Sequence, residues 1–180
     1  MYRFSISIAV LALALGGCKK KDGAAGADQK TADKPKPVCA DGALTNPDGP
    51  YCIPVPAGWV ARPPRDVAGD QLTEYKKDDN SPSVGVSLRK FPGSADSFKM
   101  QLDMQDKMLA SPDHKSLQSG DLPGGNGKYW SYEDNDGLWA KSIALSSKGM
   151  QVECDSRQSP TDSSPAKQAL LDACKLIVVQ

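Results

Sequence analysis

The sequence predicts an α+β domain: an antiparallel β-sheet with helices packed on it. Three observations carry that expectation. Stretches such as 84–90 and 150–154 alternate apolar and polar residues as half-buried strands do, and turn-forming residues separate them. Two other stretches, after Ser94 and after Pro165, repeat their apolar residues at helical spacing. The 16 glycines and 14 prolines suit a strand-rich, loop-rich domain better than a helical bundle.

The elements follow in order. Tyr51, Ile53 and Val55 alternate in a short first strand, and Pro54 and Pro56 argue for an edge position, because proline donates nothing to a ladder. Residues 59–62 continue it after the Ala57-Gly58 turn. Strands over 72–77 and 84–90 are joined by the turn-rich Asp78-Asp79-Asn80-Ser81-Pro82. Ser94 or Asp96 caps a helix that runs to about Ala110 and stops at Ser111-Pro112, with Phe98, Leu102 and Leu109 as its apolar stripe. Strands over 117–120, 128–133, 138–146 and 150–154 come next, and Asp134-Asn135-Asp136-Gly137 is a hairpin signal. Ser164-Pro165 opens the last helix with a cap and a proline at the first helical position. The order is strands, helix, strands, helix, which suits an α+β layer arrangement.

This domain, residues 38–180, is preceded by something different. Arg3 supplies a positive charge, and 6–15 is apolar apart from Ser7. About ten residues of helix cover roughly 15 Å, half the hydrocarbon thickness of a bilayer, so the stretch is too short to span. It has the length of the apolar region of a secretory signal. Leu15-Gly16-Gly17-Cys18 follows, and it resembles the lipobox of bacterial lipoprotein precursors. The resemblance implies that 1–17 is a signal peptide removed on export. It also implies that Cys18 is acylated, becomes the new N-terminus and holds the chain on a membrane. At about 0.8 kcal/mol per buried CH₂, two or three acyl chains make release negligible. Lys19 stands where enteric signals for inner-membrane retention carry Asp. The resemblance therefore implies the cell envelope of a bacterium and favours its outer membrane, with the domain facing the periplasm or exterior.

Residues 18–37 comprise the lipidated cysteine and a tether. The stretch KKKDGAAGADQKTADKPKP has no aromatic or branched aliphatic side chain, so burial cannot offset its ordering entropy. As a flexible coil its 19 residues extend roughly 25 Å. Six lysines against three aspartates give it a charge of +3. Solubility is the simpler reason for them, and attraction to anionic headgroups is the other. The domain beyond carries −4 and the whole chain is neutral, which gives no basic surface for nucleic acid.

With Cys18 lipidated, four cysteines remain, an even number suited to two disulfides in an oxidising compartment. Met150, Val152 and Cys154 alternate onto one strand face. Ala166, Leu170, Ala173, Cys174 and Ile177 form one helical stripe. Both cysteines lie where strand and helix meet, so Cys154 is expected to pair with Cys174. Cys39 and Cys52 are left to close a short loop. A metal site is the rival reading, but the separations do not give paired CxxC motifs and His114 has no close Cys partner.

The opening Tyr51-Cys52-Ile53-Pro54-Val55-Pro56-Ala57-Gly58-Trp59, the hairpin, the helix, the meander with Lys128-Tyr129-Trp130-Ser131-Tyr132 and the closing helix resemble the PsbP-like fold. That group includes the extrinsic photosystem II subunit and DcrB-type bacterial lipoproteins. The resemblance spans about residues 50–178 and implies an α/β/α sandwich in a binding or accessory protein. It carries no binding residues across.

Candidate chemistry is sparse. His114, the one histidine, reads as a solvated turn residue in Pro112-Asp113-His114-Lys115, and no motif places a nucleophile beside a base. Gly124-Gly125-Asn126-Gly127-Lys128 lacks the first glycine and the Ser/Thr of a phosphate loop and precedes a strand, so it reads as a turn. Glu133-Asp134-Asn135-Asp136-Gly137 lacks the ligand spacing of a calcium loop and reads as the hairpin turn. Met100, Met104 and Met108 lie along one ridge of the first helix, away from its apolar stripe. Thioethers suit Cu(I), but they also make adaptable packing or partner-binding faces, and the latter is the reading taken.

The expectation is a lipid-anchored, non-catalytic accessory module with a protein partner and no cofactor. The alternative is a periplasmic small-molecule or metal-binding protein, which a pocket with convergent polar groups between helix and sheet would favour.

Overall fold

The computed structural model describes residues 39, 41–46 and 49–180; Cys18, the signal stretch and the tether lie outside the described residues. The elements are β1 (Leu44–Thr45), β2 (Tyr51–Ile53), β3 (Val60–Ala61), β4 (Arg65–Val67), β5 (Asp70–Lys76), β6 (Val84–Lys90), α1 (Ala95–Leu109), β7 (Lys115–Asp121), β8 (Gly127–Asp134), β9 (Gly137–Leu145), β10 (Met150–Gln158), α2 (Ala166–Lys175) and β11 (Val178–Val179). Eight strands form one sheet in the order β3-β5-β6-β10-β9-β8-β7, with β4 also on β5. Every described pairing is antiparallel, giving an α+β architecture.

Register explains which residues meet. Val86 pairs with Cys154 and Leu88 with Val152, so the apolar sides of β6 and β10 coincide. On that face α2 lays Leu170, Ala173 and Cys174. The Cys154–Cys174 disulfide then joins the central strand to the helix, with Cα atoms 5.3 Å apart, the pairing expected from the two apolar faces. Alternate residues face the other way, and there Trp130 and Ile143 pack with Phe98 and Leu109 of α1. The two helices therefore cover opposite faces.

A second sheet, β1-β2-β11, ties the start of the domain to its end. The Cys39–Cys52 bond fastens it, Cα atoms 5.9 Å apart. The Tyr51 hydroxyl accepts hydrogen bonds from the Tyr75 hydroxyl and from Asn46 Nδ2, each at 3.0 Å. Burial, helped by the neighbouring Tyr51, pushes the Tyr75 phenol pKa far above its ordinary value.

Several expectations need correction. The first strand is not at an edge: it ends at Ile53, before Pro54, and is flanked by β1 and β11. Residues 60–61 do not continue it, because β3 pairs with β5 in the large sheet. β10 extends four residues beyond Cys154; Ser156 and Gln158 point into the core, where Gln158 Nε2 donates to Ser156 Oγ at 3.1 Å. β4 went unread because it meets β5 through Ala68-Gly69, both at positive φ, and alanine is an unusual residue for such a turn. The start of α1 agrees with expectation: Ser94 caps it, its Oγ accepting from the Ser97 N–H. α2 begins one residue later than expected, with a helical Pro165 at the cap position and Ser164 Oγ accepting from the Ala166 N–H.

Candidate functional site

α1 carries the most conspicuous exposed surface. Phe98 and Leu109 are buried against the sheet, and Phe91 meets Phe98 edge-on at 5.6 Å. Asp106 fixes the rotation of the helix: one carboxylate oxygen accepts from Lys128 Nζ at 2.6 Å and the other from Trp130 Nε1 at 2.7 Å. With that side held, Met100, Met104 and Met108 face outward, 62%, 57% and 56% exposed. The structure therefore settles one part of the sequence reading: these methionines do not fill a second core among the described residues.

The Asp106 latch was missed in the sequence, although a signal existed. At i+4 from Leu102 and i−3 from Leu109, Asp106 falls on the helix's apolar stripe, where a carboxylate needs a partner. Partial burial pushes its pKa up, but the bonds from Lys128 and Trp130 outweigh that and hold it below the ordinary carboxylate value. The Asp106 bond in turn raises the Lys128 ammonium.

A row of side chains crosses the α1-facing side at the far end of the sheet. His114 packs edge-on against Tyr132 at 4.8 Å, Tyr132 stacks on Trp139 at 6.2 Å, and Arg157 lies 5.3 Å over the Trp139 ring. His114 is thus not simply solvated: it is half-buried, and its Nδ1 is enclosed without a hydrogen-bond partner. Neighbours on both sides occupy Tyr132 and Trp139, which makes the row a cross-strand brace rather than a stacking platform.

The hairpin at 134–137 uses its carboxylate internally. Asp134 Oδ1 accepts from the Asp136 and Gly137 N–H groups and from Trp139 Nε1, at 2.8, 3.0 and 3.0 Å. Desolvation pushes the Asp134 pKa up, but these bonds hold it below the usual range. The opposite effect governs Asp155, where burial raises the carboxyl despite nearby Lys141. Gly124-Gly125-Asn126-Gly127 forms the β7–β8 turn. Among the described residues, no three His, Cys, Asp or Glu side chains converge as they would around a metal ion.

Clefts lie between each helix and the sheet. One, about 250 Å³, lies between α2 and the β7–β9 end, lined by Ser131, Glu133, Leu138, Gln168 and Asp172 among others. Its Tyr129 is covered by Lys175 at 5.2 Å, and a Cβ added at Gly120 would come within 2.8 Å of the same ring. The other, about 280 Å³, lies between α1 and the start of β8. No protein-family model matches this chain, and no curated protein matches it.

Proposed function

We propose that this chain is a lipid-anchored envelope lipoprotein whose domain serves as a non-catalytic accessory module, docking a protein partner through the Met100–Met104–Met108 ridge. The docking reading is carried by one observation: three large thioether side chains stand exposed in line on a helix whose opposite side is locked to the sheet. The anchoring reading rests on Leu15-Gly16-Gly17-Cys18 and the uncharged stretch before it. Two buried disulfide-bonded cysteines, Cys154 and Cys174, are consistent with an oxidising compartment. A helix on each face of an antiparallel sheet supports assignment to the PsbP-like group.

The test has two arms. Intact mass of the N-terminal peptide from native membranes is expected to give a diacylated or triacylated Cys18; an unmodified chain beginning at Met1 overturns the anchor. A photo-crosslinking residue at position 104 in cells is expected to give one discrete protein adduct, absent from position 67. Equal adducts at both positions, or none, overturn the docking face. The small-molecule alternative is supported by the clefts between each helix and the sheet.

A further inference from the structure

The cleft under the N-terminal half of α1 combines features that the other cleft lacks. Phe98, Leu102 and Leu145 give it an apolar interior, drawn from the smaller of the two core clusters. Two lysines line it, Lys99 from the helix and Lys128 from β8, with Asp121 as the one lining carboxylate. The glycine-rich turn ahead of β8 closes one side, and no side chain projects inward from Gly125 or Gly127.

We propose that this cleft binds a small amphipathic anion, a carboxylate on a short alkyl or aryl body. The body enters between Phe98, Leu102 and Leu145, and the carboxylate meets Lys99 and Lys128. Both lysines already have partners, so the anion must compete. Lys99 is paired with Asp103 within one helical turn at 2.8 Å, with both side chains largely in solvent; such a pair is weak and easily exchanged. Lys128 keeps its bond to Asp106 and still has two N–H donors for a ligand. Lys99 is therefore the recruited group and Lys128 the fixed one. The inference stands apart from the lipid anchor and the methionine ridge, and either can fail without the other.

Octanoate is the probe, titrated at low salt into the full chain carrying Cys18→Ser and kept free of detergent. Saturable binding is expected with Kd on the order of 1 mM or tighter. Backbone amide shifts should centre on Leu102, Gly125, Gly127 and Leu145. Octanol, which has the same tail without the charge, should bind about 3- to 5-fold more weakly, and Lys99→Ala should weaken octanoate by a similar factor. Lys99 is exposed, so its removal leaves the fold intact, and the shift map on the unsubstituted protein needs no variant. Absence of saturation to about 10 mM, or shifts centred on Met104 and Met108 or elsewhere with Gly125, Gly127 and Leu145 unmoved, overturns the site. Equal binding of octanol and octanoate, with Lys99→Ala unchanged, overturns the anion.

Discussion

Replacing Asp106 by alanine should loosen α1 from the sheet more than any other single change on that helix's polar side chains. Two contacts are lost. The Trp130 indole N–H, in a fully buried residue, loses its acceptor, at about 1–3 kcal/mol for an orphaned donor. The Lys128 bond is partly solvated, its two side chains 31% and 34% exposed, and adds about 0.5–1 kcal/mol. The sum is about 1.5–4 kcal/mol, or roughly 4–15 °C in Tm for a domain of this size. Asp106→Asn keeps an acceptor for Trp130 and should cost about 1 kcal/mol. Urea unfolding followed by tryptophan fluorescence measures both. pH supplies a second readout. A carboxyl held below its ordinary value of 3.8 contributes stability above that value and loses it as pH falls through the folded-state pKa. The gap between the unsubstituted protein and Asp106→Asn should be full at neutral pH and close below the ordinary carboxylate range. Asp106→Ala within about 0.5 kcal/mol of the parent, or a gap that does not change down to acid pH, would refute the latch.

Replacing Cys154 and Cys174 together by alanine should lower stability by about 3 kcal/mol from loop entropy alone, read as the unfolding midpoint against the oxidised parent. Gly127→Ala should destabilise by about 1–3 kcal/mol or more by calorimetry, since a Cβ there collides with the Ile143 carbonyl oxygen and lies 2.6 Å from Ala144 Cα, backbone that has no rotamer to yield. Met104→Glu should leave the unfolding midpoint within about 0.5 kcal/mol of the parent, yet abolish a crosslink placed at position 100.

The elements legible in the sequence were those long enough to show a period. β6, α1 and the β8–β9 hairpin fall at or within a residue or two of their expected bounds, because alternation, a capping serine and an Asp-to-Gly turn are local signals. The Cys154–Cys174 pairing was legible for a related reason: a strand face and a helix stripe each pointed its cysteine at a core. β1, β4 and β11 were not, and β3 was read only as a continuation of the first strand, since two or three residues carry no period and exist only through the partner they pair with.

By itself, then, the sequence determined the class of fold, both disulfides, the two helices and the line of three methionines, all properties of neighbours along the chain. Only the tertiary structure decided that β10 lies between β6 and β9, that the first strand is flanked on both sides, and that α1 crosses the face opposite α2. It also decided which way the methionines point. Helical spacing puts Met100, Met104 and Met108 in a row; the burial of Phe98 and Leu109 against the sheet and the bonds from Lys128 and Trp130 to Asp106, made across more than twenty residues of chain, turn that row to solvent. Local periodicity sets which side chains share a face; long-range contacts set where that face looks.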